Sequence, residues 1–301
     1  MTTIIDVAKK AGVSKSTISR YLNGEKVRDE NRIKIEKAIK EMNYQINPMA
    51  RGLKTSKSYT IGVIIPNIID LFATHIIQTC EQYLNEKGYS IILCDSRENL
   101  DIEKSRLEFL RSKRVDGIIM QPCRTEGKHI KDVLNGQIPI VLIDRMIPEL
   151  ECDCVMADNF KGAYDGVSAL IRKGHKKIGI ITGPEYIYTA YERFEGYKRA
   201  IQEHGLPLEE RYIENGEFKK EEGKQAFLKF MKMKERPTAI FVTNYFMTIG
   251  VIEAILEQGY KIPDDVSILA FDSLKISTAI DWSAIIKPNL STIRQPMTEI
   301  G

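Results

Sequence analysis

Short apolar runs alternate with longer amphipathic segments from Thr60 onward, and this alternation limits the fold more than any other feature of the chain. Eight such runs, rich in β-branched residues, occupy residues 60–66, 90–95, 117–122, 139–144, 154–158, 177–183, 239–244 and 267–272. Apolar strands that alternate with helices indicate parallel sheets covered on both faces. Eight strands favour two doubly wound lobes. The alternative, one closed β/α barrel, is disfavoured because the runs are unevenly spaced.

Residues 5–24, IDVAKKAGVSKSTISRYLNG, predict two short helices joined by a tight turn at residues 12–14. Each helix has an apolar stripe, formed by Ile5, Ala8 and Ala11 in the first and by Val13, Ile18 and Leu22 in the second. Helices this short are unstable alone. A third amphipathic helix, from about Asp29 to Met42, completes the unit, with Asp29 as its expected capping group because Arg28 precedes it.

The second short helix leaves polar or cationic side chains outward, namely Lys15, Ser16, Ser19 and Arg20. Such a helix suits the DNA major groove, where polar side chains meet base edges. Charge supports this interpretation, since residues 1–58 carry a net charge of +7 and the remainder carries −4. The head therefore predicts a sequence-specific DNA binder.

The segment NPMARGLKT, residues 47–55, follows the head. Asn47 can cap a helix that starts at Pro48. A helix from Pro48 to Lys54 is too short to form unaided in water, and the residues after it predict a flexible link.

Polar side chains end or directly follow the apolar runs, and in open α/β sheets ligands bind beyond these strand ends. They are Asp95, Asp144, Asp158, Asn244 and Asp272, with Arg193 after the run that ends at Gly183. With Phe72, Phe218 and Tyr245 as flat walls, they suit a small polyhydroxylated ligand. The alternative for each aspartate is a helix cap.

Other classes of function have little support. Phosphate-loop, dinucleotide, zinc-protease and serine-hydrolase motifs are missing, and the four histidines are scattered, so we predict a protein that is not an enzyme and has no cofactor. Five cysteines without a CxxC pair predict reduced thiols, with Cys152 and Cys154 a weak metal candidate. Without a signal peptide or a long apolar run, we expect a cytoplasmic protein with no membrane partner.

The chain resembles the lactose/galactose-repressor (LacI/GalR) family of bacterial transcription factors over essentially its whole length. The matching motifs, in order, are TIIDVAKKAGVSKSTISRYLNG, NPMARGL, TIGVIIPN, KRVDGIIM, IPIVLIDR, MADN, KGHKKIGIITGP, RFEGY, PTAIFVTN, IPDDVSILAFD and LSTIRQP. An ordered set of this kind is specific, whereas a lone helix-turn-helix also occurs in recombinases and phage repressors.

The resemblance implies an all-α helix-turn-helix head, a hinge helix and an α/β two-lobed core like periplasmic sugar-binding proteins. The expected domains are residues 1–46 for the head, 47–58 for the hinge and 59–301 for the core. The first lobe takes 59–158 and 289–301, and the second takes 159–288. Crossings between the lobes are expected near Asp158, near Pro288 and after Thr292.

The resemblance assigns base contacts to Lys15, Ser16 and Arg20, and a minor-groove wedge to Leu53. Phosphate contacts are implied for Thr3, Ser14, Ser19, Asn23 and Tyr44. Effector contacts are implied for Asp144, Arg193, Asn244 and Asp272, with Phe72 and Phe218 as walls. The implied partners are a near-palindromic operator in double-stranded DNA, a sugar or sugar derivative, and a second copy of the chain.

Departures from the family pattern bear on the effector. Tyr245 follows Asn244 where Asp is common, Ala270 replaces a usual Gly, and Leu71 precedes Phe72 in place of paired aromatics. The chain also stops at QPMTEIG where relatives continue, so either it is truncated or the first lobe ends differently.

The leading hypothesis is a repressor whose operator affinity a ligand in the cleft controls. Three alternatives stay open: a solute-binding protein with a basic head, an enzyme on an α/β scaffold, and a regulator controlled by a protein that docks on the first lobe.

Overall fold

The computed structural model describes residues 2–22, 25–44, 57–135, 138–272 and 290–301. The chain divides into two compact units, Met1–Ser58 and Tyr59–Gly301. The expected hinge helix from Pro48 to Lys54 and the expected crossing near Pro288 lie outside the described residues.

The head unit contains three helices, α1 (Ile4–Ala11), α2 (Lys15–Leu22) and α3 (Asp29–Glu41). α1 begins with a capping box in which the Asp6 N–H donates to Thr3 Oγ1 over 3.3 Å and the Thr3 N–H donates to Asp6 Oδ2 over 2.9 Å. It ends at Gly12, whose φ of 67° is the left-handed conformation that closes a helix. This turn lets α2 start directly afterwards.

Two expectations about the head are corrected. The core consists of Val7, Ala8, Ala11, Ile18, Ile35 and Ala38, whereas Ile5 and Ile33 are 61% and 62% exposed. At 3.6 residues per turn, positions 4, 7, 8 and 11 share one face, and Ile5 lies off it. Asp29, the expected capping residue, is instead the first residue of α3. The residue at the cap is Arg28, whose side chain makes no capping hydrogen bond.

The first lobe is a parallel sheet with helices on both faces. Its strands are β1 (Thr60–Ile65), β2 (Ser90–Asp95), β3 (Gly117–Met120), β4 (Ile140–Ile143) and β5 (Asp153–Val155), in the order β2-β1-β3-β4-β5. Its helices are α4 (Leu71–Glu86), α5 (Leu100–Ser112) and α6 (Lys128–Asn135). The register pairs Ile61 with Ile91 and with Gly117, so the chain reverses its winding direction at β1.

The second lobe repeats this topology. Its strands are β6 (Ile178–Thr182), β7 (Ile213–Asn215), β8 (Ala239–Val242), β9 (Ser267–Phe271) and β10 (Ser291–Ile293), in the order β10-β9-β8-β6-β7. Its helices are α7 (Asn159–Arg172), α8 (Tyr188–Glu203), α9 (Lys220–Met231) and α10 (Tyr245–Gln258). The sequence analysis did not identify β7 and β10, which are three-residue strands without an apolar run.

The lobe boundary predicted at residue 289 is wrong. Ser291 pairs with Leu269, so β10 belongs to the second sheet. The chain returns to the first lobe only after Ile293, where α11 (Met297–Ile300) packs on α4 and buries Ile300 against Phe72 and Ile76. This return agrees with the crossing expected after Thr292, and the crossing expected near Asp158 lies between Val155 and Asn159.

Among the described residues, no helix is long and apolar enough to cross a membrane. All five cysteines are free, with Cys80, Cys94 and Cys123 buried. No group of side chains suited to a metal ion occurs in the described part of the chain, and this includes the surroundings of Cys152 and Cys154.

Candidate functional site

The outer face of α2 carries the side chains predicted to contact bases. Lys15, Ser16 and Arg20 are exposed, while Ile18 on the opposite face is fully buried in the head core. Ser19 is half-buried on the same helix. Tyr21 and Leu22 pack against the same core as Ile18, so α2 has one apolar face and an outer face suited to a polar partner.

The candidate phosphate contacts Thr3 and Ser14 stand at the starts of α1 and α2. The Ser14 hydroxyl accepts the Thr17 N–H over 3.2 Å and lies 2.7 Å from Ser16 Oγ. Helix N-termini favour anions because their first N–H groups point outward. Tyr44 packs against the head core with part of its ring exposed. Asn23 and Leu53 lie outside the described residues.

Asp144 stands at the carboxyl end of β4 with a left-handed φ of 62° and is 5% exposed. Gln121, at the end of the neighbouring β3, donates from Nε2 to Asp144 Oδ2 over 2.7 Å. Among the described residues, Asp144 Oδ1 has no hydrogen-bond partner. A buried carboxylate oxygen without a partner is costly, which marks it as a binding candidate.

Arg145 follows Asp144 and is also buried. Its guanidinium donates to both carboxylate oxygens of Glu98, over 3.1 and 3.2 Å, and to the Pro122 carbonyl. Burial by itself lowers the pKa of Arg145, but Glu98, Asp144 and Asp70 together raise it above the ordinary value. Arg145 therefore stays charged and is committed to Glu98.

Asp70 is a cleft residue that the sequence analysis did not single out. Its Oδ1 accepts the Phe72 N–H over 3.0 Å and caps α4. Burial raises the pKa of Asp70 to about 6, with the charges of Asp272 and Asp144 acting in the same direction against the Phe72 hydrogen bond. The preceding apolar run ends at Pro66, so Asp70 does not directly follow a strand, and the strand-end pattern that identifies Asp144 does not identify it.

In the second lobe, Arg193 on α8 and Asp272 after β9 are buried together. Arg193 donates from Nε to Asn159 Oδ1 over 2.9 Å and from Nη1 to the Thr243 carbonyl over 2.6 Å. Its Nη1 lies 4.0 Å from Asp272 Oδ2, and its guanidinium lies 3.8 Å from the centre of the Phe271 ring. Both residues were predicted from the sequence as ligand contacts, and the structure places them next to each other.

Asp272 is held as Asp144 is, with a left-handed φ of 77°. Its Oδ1 accepts a hydrogen bond of 2.6 Å from Gln295 Nε2, a residue that the sequence analysis also missed. Burial raises the pKa of Asp272, while Arg193 and Gln295 act in the opposite direction.

Charged side chains from both lobes face one another across the cleft. Burial lowers the pKa of Arg193, and the carboxylates that oppose this shift include Asp144 of the first lobe as well as Asp272. At the edge of the cleft, the Arg124 guanidinium of the first lobe lies 4.2 Å from the centre of the Tyr186 ring of the second. Residues from separate sheets therefore form one polar cluster.

The remaining candidates have structural contacts of their own. Phe72 is buried in the first-lobe core beside Ile76 and Ile300, and its role as an apolar wall stays a prediction. Phe218 is half-buried with its ring over Gly183, at the end of β6. Tyr245 is half-buried against Ile252, and burial and Asp70 raise its pKa.

Three strand-end residues serve as caps or turns. Asn244 Oδ1 accepts the Met247 N–H over 2.9 Å, and Asp158 Oδ1 accepts the Lys161 N–H over 2.8 Å. Asp95 Oδ1 accepts the Arg97 N–H over 2.8 Å. The capping alternative therefore describes these three, whereas Asp144 and Asp272 point their carboxylates at partners across the sheet ends.

Comparisons with known proteins cover both units. Residues 3–47 match the bacterial regulatory proteins of the lacI family, and residues 58–301 match the periplasmic binding proteins and sugar binding domain of the LacI family. The chain is 35% identical over 301 residues to catabolite control protein A of Priestia megaterium, which covers 99% of this chain and 89% of that protein. It is also 35% identical to the HTH-type transcriptional repressor CytR of Escherichia coli strain K12, over 99% of this chain and 86% of CytR.

Solved structures agree on the fold. The lac repressor dimer bound to operator and the anti-inducer ONPF superposes with a TM-score of 0.85 at 24% identity, over 99% of this chain and 88% of that one. A ribose operon repressor candidate from Burkholderia thailandensis superposes with a TM-score of 0.73 at 29% identity, over 81% of this chain and 88% of that one.

A helix-turn-helix head joined to a two-lobed core with a polar cleft defines a DNA-binding regulator that carries a ligand-binding domain. The chain belongs to the LacI family of bacterial regulatory proteins. The family and the fold class inferred from the sequence are thereby confirmed.

Proposed function

We propose that the protein is a transcriptional repressor that binds a near-palindromic operator as a homodimer in the cytoplasm, without catalytic activity. Each head contacts one half-site through Lys15, Ser16 and Arg20. Thr3, Ser14, Ser19, Asn23 and Tyr44 hold the phosphates, which set the register without reading the sequence. Leu53 enters the central minor groove and bends the operator.

A small polar ligand in the cleft controls this binding. Asp144, Arg193 and Asp272 contact it, while Phe218, Asn244 and Tyr245 line the same end of the second sheet. Phe72 supports the first-lobe side. Ligand closes the lobes and thereby changes the spacing of the paired hinges, so that the two sites share one coupling free energy of about 1–3 kcal/mol.

One observation carries this proposal: a buried aspartate in a left-handed turn ends one strand of each lobe, Asp144 in the first and Asp272 in the second, and Asp144 Oδ1 has no hydrogen-bond partner among the described residues. Closure must change the distance between these groups, so a ligand that contacts both lobes has a differential affinity for the open and closed states. Support from relatives is of a coarser kind: CytR is a transcriptional repressor, and the lac repressor dimer was solved bound to operator.

The proposal is tested by measuring operator affinity by fluorescence anisotropy with and without a panel of sugars and nucleosides. We expect one compound class to change the affinity about 5- to 150-fold. Asp272→Asn should abolish that response and leave ligand-free operator binding intact. A full response in Asp272→Asn would remove this residue from the site, and an unchanged affinity with every compound would favour control by a protein partner.

A further inference from the structure

Negative charge exceeds positive charge in the cleft. The groups that act on one another there are the carboxylates of Asp70, Glu98, Asp144 and Asp272 and the guanidiniums of Arg145 and Arg193. When these six groups are ionised, they carry two more negative than positive formal charges.

Each guanidinium already has a carboxylate counter-charge, although Arg145 Nε has no hydrogen-bond partner among the described residues. Arg145 holds both carboxylate oxygens of Glu98. Arg193 gives Nε to Asn159 and Nη1 to the Thr243 carbonyl, and its nearest carboxylate is Asp272 at 4.0 Å. The excess charge therefore lies on the first-lobe side, on Asp70 and Asp144.

Asp144 offers the acceptor that a ligand would use. It is 5% exposed, and its Oδ1 has no hydrogen-bond partner among the described residues. Asp70 Oδ1 accepts one backbone N–H, and its charge acts on Asp144 and Asp272. These two carboxylates thus share only Arg145, whose guanidinium is hydrogen-bonded to Glu98.

A buried charge is costly unless a counter-charge or a proton compensates it. A sugar hydroxyl can donate to Asp144 Oδ1 but leaves the excess charge in place. An ammonium group donates to the same oxygen and also neutralises the charge, so it adds a charge–charge attraction that a hydroxyl lacks. The pKa of Asp70, raised to about 6, is consistent with a site that favours an added positive charge.

We propose that the cleft binds a ligand with a protonated amine, such as an amino sugar, and that this amine is held by Asp144 with Asp70 beside it. The inference rests on the proposed function and specifies its ligand class. The hydroxyls of the ligand then face Arg193 and Asp272 of the second lobe.

The test is titration calorimetry of the full chain at pH 7.0 with matched triplets: glucosamine, glucose and N-acetylglucosamine, and the corresponding galactose and mannose series. Spermidine and ethanolamine serve as amines without a sugar ring. We expect at least one amine to bind about tenfold or more tightly than its hydroxyl and N-acetyl counterparts. A neutral member that binds as tightly as its amine overturns the inference, as does a panel in which no amine binds.

Asp144→Asn is the decisive variant, because asparagine tolerates the left-handed backbone and can still accept from Gln121. It should remove the preference for the amine without lowering the unfolding temperature. Asp165→Asn, which removes a charge from an exposed position on α7, is the matched control and should keep the preference. An amine preference that survives in Asp144→Asn overturns the assignment.

Operator anisotropy with the same compounds separates this inference from the proposed function. An amine that binds but does not change operator affinity keeps the ligand class and overturns the coupling. A neutral sugar that binds more tightly than its amine and changes operator affinity keeps the coupling and overturns the ligand class.

Discussion

Replacing Asp70 by Asn should stabilise the protein near neutral pH and have less effect in acid. The folded state raises the pKa of Asp70 to about 6, chiefly by burial. In an unfolded chain an aspartate titrates near pH ~3.9. Between these two values the folded protein holds a proton that the unfolded chain has released. The free energy of unfolding of the wild type therefore falls as the pH rises from about 4 to about 6.

The size of the effect follows from the shift. Two pKa units at about 1.4 kcal/mol each give an upper limit of about 3 kcal/mol. Because Asp70 is half-buried and water screens its charge, we expect about 1–2 kcal/mol at pH 7.5. Asn is as good a helix cap as Asp, so the hydrogen bond to the Phe72 N–H is kept and only the charge is removed.

Urea unfolding of the wild type and of Asp70→Asn at pH 4.5 and pH 7.5 measures the difference. Asp158→Asn, at the exposed cap of α7, is the control for exchanging Asp and Asn at a helix start. If Asp70→Asn gains no stability on going from pH 4.5 to pH 7.5 relative to the wild type, the buried charge of Asp70 is compensated, and the excess negative charge assigned to the cleft is wrong.

Three further predictions concern the head, the hinge and the first-lobe core. Arg20→Ala should lose about 1–3 kcal/mol of discrimination at one position of each half-site, measured by anisotropy on single-base variants; equal weakening on all sequences would contradict base contact. Leu53→Ala should reduce operator bending in gel-shift phasing, and an unchanged angle would refute the wedge. Glu103→Gln should lower the free energy of unfolding by about 1–3 kcal/mol, because the fully buried Glu103 accepts the Cys123 N–H and lies 2.8 Å from His129 Nε2. Urea unfolding tests this, and an unchanged free energy of unfolding would mean that these contacts contribute little.

Most of the fold can be predicted because the continuous apolar runs of the sequence are the buried strands of the structure. Continuous apolar runs become the strands with the most buried positions, such as β6 and β8, which are buried throughout. The strands β7 and β10 carry polar residues and are three residues long, so nothing in their composition distinguishes them from loops. The lobe boundary near residue 289 was misplaced for the same reason.

The site is only partly predictable. Asp144 and Asp272 directly follow strands, so their position is encoded in the local pattern. Whether a strand-end side chain caps a helix or faces the cleft depends on the backbone turn, and the sequence does not distinguish Asp158 from Asp144 on this point. Asp70 reaches the cleft through a loop, and Gln295 does so through the crossing after β10. Both positions depend on tertiary structure.

The backbones of Asp144 and Asp272 are each hydrogen-bonded to a segment where the chain crosses between the lobes. The Asp144 N–H donates to the carbonyl of Val155, the last residue of β5 before the chain crosses to the second lobe. The Asp272 N–H donates to the carbonyl of Ile293, the last residue of β10 before the chain crosses back. Each carboxylate that we propose faces the ligand thus belongs to a residue whose backbone is bonded to a crossing. Because both residues adopt left-handed turns, we expect a ligand that pulls on either side chain to reorient that backbone bond and so to change the angle between the lobes.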